Sequence, residues 1–195
     1  METINKNKTI YEIIFKQRNV LLDIAMVVLS VAFLGIMANI RVPLWPVPVT
    51  MQTFGVFVIA FFFGSRKGFL SIVAYLLAGI VGFSVFTGYK SGLAVFMGPT
   101  AGYLIGFLFM AFFVGMMIER GYGRTKKSVL ICMLAGEGIL YLCGLTGLWF
   151  FLGKVSLLKL LMVGFVPFII GDLIKIAGAV ALFPYLWKGS DRIAQ

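Results

Sequence analysis

The chain contains no histidine, only seven acidic side chains and only two cysteines in 195 residues. Without histidine there is no imidazole for general acid–base chemistry, for a Ser/His/Asp triad or for a Cys/His metal site. Cys132 and Cys143 fall in one apolar block. On a helix they would lie about three turns apart, too far to bridge one another. No Gly-x-x-x-x-Gly-Lys-Ser/Thr loop occurs, so the chain does not itself hydrolyse ATP by that route. The run Gly123-Arg124-Thr125-Lys126-Lys127-Ser128 is a basic loop. No nucleophile–base pair presents itself for a membrane enzyme acting on lipid. A binding or transport protein is therefore expected, not an enzyme, and no cofactor or metal is implied. Internal repeats are not visible, which leaves an inverted-repeat carrier without support. No polar stretch is long enough for a second domain. One membrane domain, 1–195, is expected, with 1–20 as a cytoplasmic N-terminal segment.

Charge is scarce where apolar residues abound. Charged residues make up 12% of the chain and hydrophobic residues 61%, with a mean hydropathy of +1.05. A soluble domain runs nearer a quarter charged and half apolar. The excess comes in blocks that approach the roughly 20 residues needed to cross about 30 Å of hydrocarbon. These blocks predict an all-α integral membrane protein with six transmembrane helices, at 21–40, 49–64, 68–84, 98–118, 128–151 and 166–187. The first reads as a retained helix, since a cleaved signal peptide would have a shorter polar start and a small-residue cleavage site. The break at Ser65-Arg66-Lys67 is tight, so the second and third helices form a hairpin. The stretch 154–164 is either an outer loop or part of a longer sixth helix broken at Pro167.

A net charge of +10 raises nucleic acid as a partner. The basic residues have a simpler explanation, because they are sorted by loop. The N-terminus carries Lys6, Lys8, Lys16 and Arg18. Arg66 and Lys67 follow the second helix, Arg120, Arg124, Lys126 and Lys127 the fourth, and Lys188 and Arg192 the sixth. The alternate loops hold Arg41, Lys90, Lys154 and Lys159. The positive-inside rule then places both termini in the cytoplasm, which requires an even helix count. The expected location is the cell membrane, multi-pass, with the lipid bilayer as the partner of the apolar surface and no nucleic acid.

Three ionisable residues fall within the spans: Glu137, Asp172 and Lys175. An unpaired charge at a helix centre costs about 2.5–3.5 kcal/mol on the insertion scale, so such residues pair, face the interior or bind something. Asp172 and Lys175 are three apart and share a helix face. Their position after Pro167 puts them in the outer half. Thr50, Gln52, Thr100, Tyr103, Tyr141, Thr146 and Trp149 fall at the same level, and together they describe a pocket open to the outside. Singly, Tyr103 and Trp149 also fit an interfacial belt, and Thr50 and Gln52 fit helix-start caps. Glu137, between Gly136 and Gly138, either lines the pocket floor or bonds a neighbouring helix. The alternative functional class is a self-sufficient, proton-coupled secondary transporter that uses Glu137 or Asp172. Three prolines stiffen the first outer loop, 41–49. The second, 85–97, contains Gly88 and Gly92 and is long enough to close over a solute.

Specific runs can be matched. Pro46-Val47-Pro48-Val49-Thr50-Met51-Gln52-Thr53, Gly98-Pro99-Thr100-Ala101-Gly102-Tyr103-Leu104-Ile105-Gly106-Phe107 and Gly171-Asp172-Leu173-Ile174-Lys175 resemble the BioY family. These are the biotin-binding S components of energy-coupling factor (ECF) transporters. Tyr141-Leu142-Cys143-Gly144, continuing to Trp149, is similar to the family's fifth helix. The resemblance spans roughly 43–181. It implies the S-component fold and high-affinity capture of biotin as the transported ligand. It also implies a membrane-embedded T component and two ABC-type ATPases as partners. Asp172 and Lys175 would then meet the ureido ring, with Gln52 able to donate or accept. Tyr103, Tyr141 and Trp149 would flank the sulfur ring, near Thr100 and Glu137, and Lys90 would meet the carboxylate tail. Many S components dock the T component through an Ala-x-x-x-Ala stripe on the first helix. Here Ala25 is followed four residues on by Leu29, and Ala32 by Ile36, so the expected docking residues reduce to Ala25, Ala32 and Gly35. Ala101 stands where the family often has Gly.

Overall fold

A computed structural model describes residues 8–16 and 19–193, with side chains described as far as Ser190. Lys6, Arg18 and the Arg192 side chain of the charge pattern lie outside this set. The described chain forms α1 (Ile10–Ile14), α2 (Val20–Asn39), α3 (Gln52–Ile80), α4 (Ala101–Glu119), α5 (Lys126–Phe151), α6 (Leu157–Gly164) and α7 (Ile169–Ile193). A two-stranded ribbon, β1 (Arg41–Val42) and β2 (Val49–Thr50), pairs Arg41 with Thr50 beside the proline loop.

Local chemistry sets the helix starts. The Asn19 side chain accepts from Leu22 N at 2.7 Å to cap α2. Thr125 and Ser128 bond reciprocally across the first turn of α5. Pro99 and Gly98 interrupt the fourth block, which starts at Ala101 rather than 98, after a 3-10 turn at Leu93–Met97. The third block stops at Ile80 rather than 84.

The element that decides the topology is α3. Its 29 residues contain one non-helical residue, Gly64, at φ 77° and ψ −164°. In a straight helix Gln52 and Tyr75 would be about 35 Å apart at 1.5 Å per residue. Instead Gln52 Nε2 donates to the Tyr75 hydroxyl at 2.8 Å. A Cβ on Gly68 would lie 3.5 Å from the Ala60 Cα, eight residues back. The expected hairpin is therefore present, but it reverses at Gly64, ahead of Ser65-Arg66-Lys67. Among the described residues, five helical stretches are long and apolar enough to span a membrane. Counting both arms of α3 separately, the described residues hold six long apolar helical legs.

α4 packs most extensively on α3 and α5, α2 packs on α3, and α5 on α7. Phe57, Phe61, Tyr75, Phe183 and Trp187 are buried between them, with Phe61 and Phe183 stacked at 4.2 Å. Small residues allow the close approaches. Gly102 meets Gly147 backbone to backbone, and Gly115 lies against the Gly64–Ser65 turn. Leu21, Ile24, Val28, Leu142, Phe150 and Leu173 stay exposed, as a lipid-facing surface requires.

One part departs from the sequence expectation, and one that it left open is resolved. The N-terminal segment contains α1, whose Ile10, Tyr11 and Ile13 are buried against α3 and α7. Tyr11 and Lys67 both donate to Asp23 Oδ1 at 2.5 Å, and Lys67 sits 4.3 Å above the Tyr11 ring. The stretch 154–164, left open above, holds a short helix of its own, α6, then a 3-10 turn at Val166–Phe168 that contains Pro167. Proline is accepted there because its missing N–H falls where a helix start has no acceptor to lose.

Candidate substrate-binding cavity

At one end of the bundle the ribbon and proline loop 41–50, the start of α3, the loop 81–100, the start of α4, the middle of α5 and the start of α7 enclose a cavity of about 580 Å³. The helix α1 and the last turns of α7 lie at the other end. There α1 packs on α7, and Arg124 stacks 4.2 Å over Trp187.

Most of the side chains singled out from the sequence line this cavity. Asp172 and Lys175 are both buried, and Lys175 Nζ donates to Asp172 Oδ1 at 2.9 Å. The Tyr141 hydroxyl donates to Asp172 Oδ2. Both carboxylate oxygens are thus held, and the pair is fixed in the cavity wall. Gln52 is held from both ends. Its Nε2 donates to Tyr75, whose hydroxyl donates to Val85 O at 3.1 Å, while its Oε1 accepts from Thr87 at 2.9 Å and Thr50 at 3.2 Å. Thr50 Oγ1 also accepts from Gln52 N at 3.2 Å, so it caps the helix start as well as lining the cavity.

Tyr103 donates to Gly164 O at 2.7 Å and stacks on Phe168 at 6.0 Å, which ties α4 to the α6–α7 corner. Its ring fills the space where Gly144 has no side chain, since a Cβ there would come within 2.3 Å of it. Thr100 lines the cavity at the start of α4. Lys90 is exposed at the rim, on a narrow turn closed by Phe86 N donating to Lys90 O at 3.1 Å. Asn39 Oδ1 steadies that turn by accepting from Gly88 N at 2.9 Å and Tyr89 N at 3.1 Å.

Glu137 is different. It is buried in the cavity lining, and its Oε1 has no hydrogen-bond partner among the described residues. It bonds no neighbouring helix through that oxygen. A carboxyl oxygen left so costs on the order of 1–3 kcal/mol or more.

Trp149 and Thr146 do not join the group. Trp149 Nε1 donates to Val155 O at 2.9 Å, and Thr146 Oγ1 donates to Leu142 O at 2.6 Å. With Leu157 and Leu160 they line a separate apolar groove of about 760 Å³. The reason is rotational. From Tyr141, which borders both spaces, residues 145 and 149 continue along one helix row that turns away from the cavity towards α6. On α2, Ala25 and Ala32 are exposed, while Gly35 faces inward, 3.5 Å from Val85 if given a Cβ.

The sequence reading missed Arg41, Thr87, Tyr75 and Phe168. Arg41 lines the rim opposite Thr50, and its place in the ribbon before a proline loop is the signal that could have found it. Nothing local in the sequence marks Phe168. The resulting arrangement has cations at the mouth, aromatic walls and a carboxylate–ammonium pair with a free carboxyl oxygen deeper in. It suits an elongated solute with an anionic tail and a neutral head rich in donors and acceptors.

Three comparisons bear on this arrangement. The family model described as BioY family matches residues 7–192. The "Biotin transporter BioY" of Thermotoga maritima is 40% identical over 151 residues, covering 77% of this chain and 87% of that one. The "Probable biotin transporter BioY" of Pyrococcus horikoshii is 36% identical, covering 82% and 93%. A solved structure, described as the S-component for biotin from an ECF-type ABC transporter, superposes with a TM-score of 0.72 at 27% identity, covering 86% of this chain and 92% of that one.

Proposed function

Because the chain belongs to the BioY family, we propose that it captures biotin at the outer face of the cell membrane and delivers it inward as the S component of an ATP-driven ECF transporter. The observation that carries this reading is the buried Asp172–Lys175 pair in the cavity wall, 2.9 Å apart. A urea group has two N–H donors and one carbonyl, and this pair offers an anionic acceptor beside a cationic donor. Each Asp172 oxygen keeps a lone pair after bonding Lys175 and Tyr141. Tyr103 and Phe168 flank the bicyclic ring, and Thr100 and Gln52 lie alongside it. Arg41 and Lys90 hold the carboxylate tail at the mouth. Trp149 has no part in this assignment. A cavity near 580 Å³ lies within the usual range for small-molecule sites.

The chain lacks a phosphate loop, so the driving energy comes from partners. These are a membrane-embedded T component and two ABC-type ATPases, docked through the exposed face of α2 that carries Ala25 and Ala32. Lys8, Lys16, Arg66, Lys67, Arg120 and Arg124 gather at the end away from the cavity, which supports an outward-facing cavity and cytoplasmic termini.

Calorimetry on the purified chain in detergent tests the reading. Biotin should bind one to one, and uptake should require co-expression of the partners. No binding of biotin overturns it. Uptake by the chain alone in liposomes, driven by a pH gradient, supports a secondary carrier instead.

A further inference from the structure

Among the described residues, the buried charged and amide side chains of this cavity are already bonded to one another, with one exception. Asp172 holds Lys175 and Tyr141, and Gln52 holds Tyr75, Thr50 and Thr87. The exception is Glu137, buried to 6% exposure, with its Oε1 unpartnered among the described residues. Its position is fixed by its neighbour. A Cβ on Gly136 would come within 2.8 Å of Val114 and 2.9 Å of Phe57, so α5 is pressed against α3 and α4 at this level. The Glu137 side chain is thereby directed into the cavity rather than towards lipid. The last torsion of a Glu side chain is broad and two-fold, so either oxygen can turn to a donor that enters the cavity.

We infer that Glu137 is a specificity-determining residue that accepts one ureido N–H of the bound ligand, while Asp172 accepts the other and Lys175 donates to the carbonyl. This rests on the biotin reading above and adds to it a named acceptor for each N–H. It also accounts for an otherwise costly feature. A buried acceptor without a partner is retained where a ligand supplies the donor, and a ligand lacking that donor is then rejected.

The test pairs Glu137→Ala and Glu137→Gln with three ligands. These are biotin and two ring analogues in which one or the other ureido N–H is replaced by oxygen, which removes a donor without adding bulk. Affinities are read by competition against radiolabelled biotin, alongside thermal unfolding in detergent. Glu137→Ala should weaken biotin about tenfold to a hundredfold, the usual cost of leaving a buried hydrogen-bonding group without its partner. It should weaken one oxygen analogue as much, and the other hardly at all, because that analogue has already lost the N–H that Glu137 receives. Glu137→Gln keeps an acceptor oxygen and should lose less for biotin. Equal weakening of all three ligands would mean a packing role and overturns the inference, as does no weakening of any. If the unsubstituted chain binds no biotin, the parent reading falls and this one with it. If it binds biotin and both variants bind equally well, this inference alone falls.

Discussion

Asp172 and Lys175 each exist in the membrane on the strength of the other. Both are buried, so removing one charge strands its partner in a low-dielectric site, which costs about 3–5 kcal/mol. Asp172→Asn should therefore lower thermal stability in detergent as well as biotin affinity, and Lys175 is the reason for the first effect. Tyr141→Phe separates the two. It keeps the ring packed at 4.7 Å on Phe165 but removes the donor to Asp172. Biotin affinity should change by tenfold or less with little change in melting temperature. A loss of affinity as large as that of Asp172→Asn would mean that the hydroxyl itself contacts ligand. The pairing of Asp172 with Lys175 is legible in the sequence because three residues along a helix is a local relation. The role of Tyr75 is not, because its partner Gln52 lies on the other arm of a hairpin. Gln52 reads either as a helix-start residue or as a pocket residue from its position alone. In the structure it occupies both positions at once.

At the scale of elements, glycine divides into positions where a side chain has no room and positions where it does. Gly115 presses on the Gly64–Ser65 turn, and a Cβ there would come within 2.4 Å of backbone. Backbone cannot rotate away as a side chain can, so Gly115→Ala should destabilise by about 1–3 kcal/mol through forced separation of α4 from the hairpin. Gly178 on α7 has nothing within 4 Å of such a Cβ. Gly178→Ala should be neutral, or should stabilise by up to about 1 kcal/mol through helix propensity. Thermal unfolding of both variants in one detergent checks the contrast, and equal effects would refute this account of the hairpin. Composition shows that glycines are frequent and supports a packing role in general. Which of them touch backbone depends on how helices cross, and that is not a local property. The hairpin turn itself illustrates the limit. The tight break before Ser65-Arg66-Lys67 is visible from its charges. The reversal at one residue requires Gly64 at positive φ, with Glu119 accepting from Ser65 N at 2.7 Å across 54 positions.

For the whole molecule, orientation is the open physical variable, and the charge pattern makes a definite prediction. Ser91→Cys, at the cavity end, should react with a membrane-impermeant maleimide in intact cells. Arg66→Cys, at the opposite end, should react only after lysis. The natural Cys132 is buried and Cys143 is half-buried, so labelling is read against the unsubstituted chain. The reverse pattern would invert the proposed topology. The sequence by itself determined the membrane class, the apolar helical blocks and the spacing of the ion pair. All of these follow from transfer of single segments between water and lipid, a sum over neighbouring residues. Only the tertiary structure decided which of the outward-level residues share one space. It gathered Gln52, Tyr103, Glu137, Tyr141, Asp172 and Lys175 and brought in Arg41 and Phe168 beside them. It turned Trp149 into a separate groove and seated Tyr11 against the far end. Those outcomes depend on the rotation of each helix about its own axis. That rotation is set by packing against neighbours, and in lipid, where both faces of a helix are apolar, hydrophobic pattern carries little information about it.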